Sequence, residues 1–282
     1  RPDEVDELLQ SLTQQSFKDF EVIVVEDGSS IPCKPVTEKY QELLDVHYYD
    51  KPNSGPGQTR NYGVERSKGE YLIILDSDCI LPEGYFLAVE EELQHEAADA
   101  FGGPDRAHES FTNIQKAINY SMTSFFTTGG IRGGKKKMDK FYPRSFNMGV
   151  RQEVYQALGG FSRMRFGEDI DFSIRIFKGG YTCRLFPGAW VYHKRRTDFR
   201  KFFKQVHNSG IARINLYKKY PESLKLVHLL PAAFTLGVAI FLLGTPFCPY
   251  SLLPIALYAL LVCMDSTIRN RSLSIGPVSY TH

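Results

Sequence analysis

Cysteine is scarce and scattered in this 282-residue chain: Cys33, Cys79, Cys183, Cys248 and Cys263, an odd number with no Cys-x-x-Cys pair. That spacing argues against a disulfide framework or a cysteine zinc site and fits a reducing compartment. No internal repeat is visible, and no signal peptide is expected at the start. A net charge of only +2 with 13% aromatic residues is the reverse of a disordered composition. At roughly 100–200 residues per domain, the length allows one large domain or two small ones. The mean hydropathy of -0.26 argues against a polytopic membrane protein. That figure, however, is an average over strongly segregated segments.

Charge is missing altogether from Leu226 to Met264, where no Asp, Glu, Lys or Arg occurs. A spanning helix needs roughly 17–25 mostly apolar residues. The segment 226–268 therefore reads as two spans, 229–243 and 252–264, broken at Thr245-Pro-Phe-Cys-Pro-Tyr-Ser251. Its Gly and Pro residues are tolerated better in membrane helices than in soluble ones. A buried helical hairpin of a soluble core is the alternative. Just upstream it is acid that is missing. Between His193 and Tyr220, Asp198 is the single acid against Lys194, Arg195, Arg196, Arg200, Lys201, Lys204, Arg213, Lys218 and Lys219. Apolar residues such as Phe199, Phe203, Val206 and Ile214 are interleaved, so 193–225 reads as an amphipathic interfacial segment drawn to anionic membrane lipid. Nucleic-acid binding is the rival reading; the adjacent spans account for the pattern without it, and no nucleic-acid partner is expected. Lys225 before the spans and Arg269 and Arg271 after them put both flanks on the cytoplasmic side.

The remaining sequence alternates helix and strand patterns. Val5, Leu8, Leu9 and Leu12 mark an opening helix beside acids that suit its N-terminus. Strands are expected at 20–25, 46–49 and 71–75 and helices at 36–44, 58–67 and 82–95, the pattern of a doubly wound α/β sheet. A helix over 111–126, strands at 182–186 and 190–193, and a Gly/Lys loop at 129–140 follow. Lys135, Lys136 and Lys137 in that loop suit a mobile lid or, equally, a solvated charge run.

Two of the strands end in acids: Glu26-Asp27 follows the first and Asp76-Ser77-Asp78 the third. Ligands of open α/β sheets bind at such strand ends. Carboxylates one residue apart there can share a hard cation that grips phosphate oxygens. Asp27-Gly28-Ser29, Gly57-Gln-Thr-Arg60-Asn61-Tyr-Gly63, Asp76-Ser-Asp78, Asn147-Met-Gly-Val-Arg151, Leu158-Gly-Gly-Phe161 and Gly167-Glu168-Asp169-Ile-Asp171 occur in this order. The ordered set closely resembles family 2 glycosyltransferases, inverting enzymes of the GT-A nucleotide-diphospho-sugar fold, in their membrane-anchored branch.

The resemblance implies an α/β GT-A fold with a Rossmann-like mixed sheet, followed by interfacial helices and a C-terminal transmembrane hairpin. It implies a catalytic domain over 1–192 and a tail over 269–282, whose residues 278–282 read as a sequencing artefact. The strand that the family places before its first helix is expected to be missing here. The implied activity transfers sugar from a nucleotide-diphospho-sugar donor to a hydroxyl of a lipid-linked or cell-surface glycan acceptor, with Mg²⁺ or Mn²⁺ as cofactor. The location implied is the cytoplasmic membrane, with the catalytic domain facing the cytoplasm. Among site residues, the resemblance makes Asp169 the general base, with Glu168 orienting it or the acceptor. It puts Asp27 on the nucleobase, Arg60 on the nucleotide side, Asp76 near ribose or metal, and Asp78 on the metal. His193 is either a further metal ligand or a packed histidine, and Asp171 is either a rival base or a helix N-terminal charge. The alternatives in function are a sugar-nucleotide nucleotidyltransferase and an inactive membrane-tethered scaffold of the same fold.

Overall fold

The computed structural model describes residues 1–106, 108, 111–128, 141–194, 198–271 and 275. The Gly/Lys loop with Lys135, Lys136 and Lys137, the basic pair Arg195 and Arg196, and the segment 278–282 lie outside those residues. The chain divides into two units, Arg1–His108 with Met138–Lys194, and Glu109–Lys137 with Arg195–His282. The segment around 111–126, expected inside a catalytic domain spanning 1–192, thus clusters with the C-terminal helices.

In the first unit the order is α1 (Pro2–Thr13), β1 (Glu21–Asp27), α2 (Lys34–Glu38), β2 (Asp45–Lys51), α3 (Pro56–Val64), β3 (Tyr71–Leu75), β4 (Cys79–Ile80), α4 (Tyr85–His95), β5 (Ala100–Gly102) and β6 (Asp105–Arg106). In the second unit come α5 (Asn113–Thr123) and α6 (Phe125–Thr128). The chain then returns to the first unit for β7 (Asn147–Arg151), α7 (Gln152–Ala157), α8 (Glu168–Lys178), β8 (Cys183–Leu185) and β9 (Val191–His193). The second unit ends with α9 (Phe199–Lys219), α10 (Leu230–Leu243) and α11 (Leu253–Asn270), with short 3₁₀ turns between.

The sheets are mixed, not all parallel. β1 and β2 pair in parallel, with Asp27 opposite Lys51. A four-stranded sheet has the order β3-β7-β5-β8, in which β7 runs antiparallel to both neighbours and Leu75 faces Asn147. A three-stranded sheet, β4-β9-β6, sets Cys79 opposite His193. The helix expected over 36–44 stops at Glu38 and continues as turns to Leu44, with Tyr40 donating its hydroxyl hydrogen to Asp6 of α1 at 2.8 Å. Leu9, Leu12, Tyr85, Phe101 and Phe186 are buried in one core, where the last two rings stack at 4.5 Å. Each such side chain removed from water stabilises the fold by roughly 1.5–3 kcal/mol.

In the second unit, α5 opens on a capping box made by Thr112 and Gln115. It is tied to α11 by Tyr120, whose hydroxyl donates to Asp265 at 2.6 Å, and the Tyr258 hydroxyl donates to the Phe126 carbonyl at 3.0 Å. Leu226–Leu243 and Tyr250–Asn270 are long and apolar enough to cross a membrane by length and composition, with mean hydropathies of 2.3 and 1.8. They are slightly longer than the sequence pattern suggests.

Candidate active site

The acids converge because of strand direction. β1 ends on Asp27 and β3 runs into Asp76, so both acids stand at the C-terminal ends of strands. β7 runs antiparallel to β3, so the residues just before Asn147 lie beside Asp76. Glu168 and Asp169 start α8 behind Gly167, whose φ of 85° lies in the left-handed region that favours glycine. Carboxylates in the first turn of a helix are favoured by its dipole.

Asp27 is committed to its own loop. One carboxylate oxygen accepts from the Lys51 ammonium and the Ser54 N–H (2.8 Å), the other from the Gly55 N–H (2.9 Å). Burial raises its pKa, but Lys51 and these N–H groups outweigh that and hold the carboxyl below its usual value. The geometry makes Asp27 the clamp of the Pro52–Gly55 turn that opens α3.

Arg60 projects from α3 and bridges two acids. Its guanidinium donates to Asp76 at 2.9 Å and to Glu168 at 2.9 Å. Gly57 keeps α3 close to α8, since a Cβ there would meet the Glu168 Cγ at 3.3 Å and the Phe161 Cβ at 3.2 Å. Asp169 is buried and takes its own pair of hydrogen bonds, from Arg144 Nε at 2.7 Å and from the Ile170 N–H at 2.8 Å. The two neighbouring acids are driven apart. Burial, with the adjacent Asp169 charge, raises the Glu168 carboxyl despite Arg60. Burial also acts to raise Asp169, but the Arg144 charge and hydrogen bond overcome it and hold that carboxyl below its usual range.

A second cluster joins Asp78, Cys79 and His193, all partly or fully buried, with ligand-type atoms within 4.8 Å of one another. His193 Nε2 lies 3.2 Å from Asp78 Oδ1, and Arg1 Nη2 lies 3.7 Å from the other oxygen. Adjacent ligands of a six-coordinate Mg²⁺ or Mn²⁺ at about 2.1 Å stand about 3 Å apart, so this pair fits a shared hard cation. His193 stacks on Phe146 at 4.7 Å, and its Nδ1 is buried without a hydrogen-bond partner among the described residues. Cys79 is less suited: burial pushes its thiol well up, and Sγ is 3.4 Å from the Phe146 carbonyl.

The structure therefore joins Asp78 to His193 and Asp76 to Arg60 and Glu168. It joins Asp169 to Arg144, and Asp27 to Lys51. Asp171 does not share the site: it is fully buried and accepts from Arg175 Nε at 3.0 Å. Arg175 also donates to the Leu158 and Gly160 carbonyls, so this pair pins the Gly159-Gly160 turn. Arg144 and Lys51 escape a reading of the sequence. Their signal is the register, since Lys51 pairs with Asp27 and Arg144 precedes the residue paired with Leu75.

The sequence model of glycosyl transferase family 2 matches residues 1–159. An uncharacterized glycosyltransferase of Haemophilus influenzae is 28% identical over 185 residues, covering 63% of this chain and 59% of that protein. The probable glycosyltransferase YdaM of Bacillus subtilis is 27% identical over 195 residues, covering 66% of this chain and 46% of that protein. The chain thus spans about half to three-fifths of the length of these curated relatives. The mannosyltransferase PcManGT from Pyrobaculum calidifontis, solved in complex with GDP-Man and Mn²⁺, superposes with a TM-score of 0.69 at 15% identity, covering all of this chain and 83% of that one. The likeness establishes a shared α/β GT-A fold.

Proposed function

The chain belongs to glycosyl transferase family 2, and from that membership we propose that it is an inverting glycosyltransferase using a nucleotide-diphospho-sugar donor. The observation that supports this reading is two unlike acidic groups, each with its own basic partner. Asp169 is kept ionised by Arg144, and Asp78 stands with His193.

Asp169 is assigned as the base. As the acceptor hydroxyl oxygen bonds to the anomeric carbon, Asp169 takes the hydroxyl proton, and the bond from that carbon to the phosphate oxygen breaks. The electron pair leaves with the nucleoside diphosphate, and single displacement inverts the anomeric configuration. Proton removal by a positioned carboxylate is worth about 10²–10⁴-fold. Glu168, held by Arg60, orients Asp169 or the acceptor. Arg60, Asp27 and Asp76 form the nucleotide side, Asp27 by fixing the turn before α3 against which the base would lie. A divalent cation held by Asp78 and His193, with Asp76 alongside, would stabilise negative charge developing on the leaving diphosphate.

The acceptor class that fits a chain with two span-length helices is a lipid-linked or cell-surface glycan precursor, with the catalytic unit on the cytoplasmic face of the membrane. Purified chain incubated with a panel of nucleotide sugars and Mn²⁺ tests the reading by release of nucleoside diphosphate. Asp169→Asn should lower transfer by about 10²–10⁴-fold while leaving donor binding nearly intact. Retained turnover removes Asp169 as base. Asp78→Ala should weaken donor binding in the presence of Mn²⁺, and an equal loss in the presence of chelator removes its metal role. Release of diphosphate from a nucleoside triphosphate would instead favour a nucleotidyltransferase.

A further inference from the structure

The two acids that open the β1–β2 ladder face each other. Glu21 is the Cα partner of Asp45, and two steps along the ladder Ile23 is the partner of His47. Side chains alternate across a strand, so Glu21, Asp45 and His47 share one face. Val22, Val24, Val46 and Tyr48 take the other face and pack into the core of the first unit. Like charges directly opposite on neighbouring strands repel and weaken a ladder, so this register calls for a cation between the two acids. His47 stands beside them, its Nε2 3.0 Å from Asp45 Oδ1. The Lys68 N–H donates to one Glu21 oxygen and engages only that one of the two. One ligand-type atom from each of the three residues lies within 4.8 Å of the others.

We propose that Glu21, Asp45 and His47 bind a Zn²⁺ ion at the start of the β1–β2 ladder. The donor set selects the metal. One imidazole nitrogen and two carboxylate oxygens suit zinc, whereas all-oxygen sites suit Mg²⁺ and Ca²⁺. Four-coordinate zinc, with bonds of about 2.0–2.2 Å, sets its ligand atoms about 3.3 Å apart. The Asp45–His47 contact is already close to that spacing, and zinc takes the place of the hydrogen between them. Glu21 and Asp45 both retain contact with solvent, so their side chains can close on the ion, and water fills the fourth position. The ion cancels the two opposed charges and ties the start of β1 to the start of β2. Six residue steps, about 20 Å, separate Glu21 from Asp27 at the other end of β1. The centre uses neither Asp78 nor His193, and the assignment does not rest on the reaction proposed above.

The test is a calorimetric zinc titration of the full chain in detergent micelles. D78A serves as the background, so that the cation of the proposed reaction does not contribute. D78A should bind one equivalent of zinc and melt at a higher temperature with zinc than with chelator. D78A/H47Q should bind zinc about tenfold or more weakly, at least what loss of an outer-shell partner costs, and lose the rise in melting temperature. D78A/E21Q and D78A/D45N should weaken binding in the same direction. Failure of D78A to bind zinc overturns the proposal. So does undiminished binding in D78A/H47Q, which would put the ion elsewhere on the chain. Unchanged affinity in D78A/E21Q overturns the three-residue centre and leaves a His47–Asp45 pair alone. Should H47Q fail to fold, D45N, at the exposed first residue of β2, still decides.

Discussion

A carboxylate as buried as Asp169 would, without a partner, hold its proton above the usual aspartate range. Arg144 reverses this from 2.7 Å, and the consequence is a pH dependence with a definite sign. The reactive form of a base is the carboxylate, so activity is present above its folded pKa and lost as pH falls through it. In the native chain that acid limb lies below the ordinary aspartate value. In Arg144→Gln, burial is opposed by the Ile170 N–H and the Arg60 charge without the larger Arg144 contribution, so the limb moves upward in pH, while Arg144→Lys keeps the charge and most of the limb's position. A profile of kcat/KM against pH for the three chains checks this; an unmoved limb in Arg144→Gln separates Arg144 from the charge balance of Asp169. The acids themselves were legible, because Asp27, Asp76 and Asp78 follow apolar strand runs and Glu168 and Asp169 open a helix behind a glycine. Their partners were not. Arg144 and Lys51 are ordinary basic residues in sequence; strand pairing puts Lys51 against Asp27, and the packing of α8 beside the segment before β7 puts Arg144 against Asp169. Asn61 shows the converse: part of a legible motif, it is a structural tie, donating to the Phe161 carbonyl at 2.9 Å and accepting from the Tyr155 hydroxyl at 2.6 Å.

At the scale of elements, β7 is what makes the sheet mixed, as the family resemblance implies. It enters antiparallel between β3 and β5, a detail that helix–strand alternation alone does not give. It does so at the point where the rhythm of the pattern fails, beyond Phe101. The two-residue strands β4 and β6 and the three-residue β5 are too short to leave any periodicity at all. The position of Gly149 in β7 shows how tightly this strand is packed. A Cβ there would stand 2.1 Å from two ring atoms of Phe101, which is itself stacked on Phe186. Gly149→Ala must push that ring off its partner, and a loss of about 1–3 kcal/mol or more is expected. Gly210→Ala in α9 has open space and gains helix propensity, so it should be neutral or stabilising by up to about 1 kcal/mol. Thermal melts of the two variants in the same detergent compare them directly. A native-like midpoint for Gly149→Ala would mean that the Phe101 ring repacks without cost.

Across the whole molecule, charge and hydropathy separate along the chain, which is why the C-terminal helices were legible from an absence of charge alone. The membership of α5 and α6 was not. They sit in sequence between two strands of the first unit, and their tie to α11 depends on Tyr120 and Asp265, which are 145 residues apart. Composition carries no trace of such a contact, and α5 has the apolar spacing of any surface helix. Asp265 is a conspicuous acid in a span-length helix, and its partners are Tyr120, Ser124 and Arg269. Polar groups in such segments are placed where they can be satisfied, and losing one hydrogen bond between such helices costs about 1 kcal/mol. Tyr120→Phe keeps the ring and removes only the hydroxyl that meets Asp265, which retains Arg269. The variant should therefore fold, but amides in α5 and α6 should exchange several-fold faster, since 1 kcal/mol is about fivefold at 25 °C. Exchange in α8 and the affinity for donor should stay at native values, because the lost bond lies wholly within the second unit. Unchanged exchange in α5 would mean that the helix is held by its apolar face and not by Asp265. Faster exchange in α8 would mean that the two units open together.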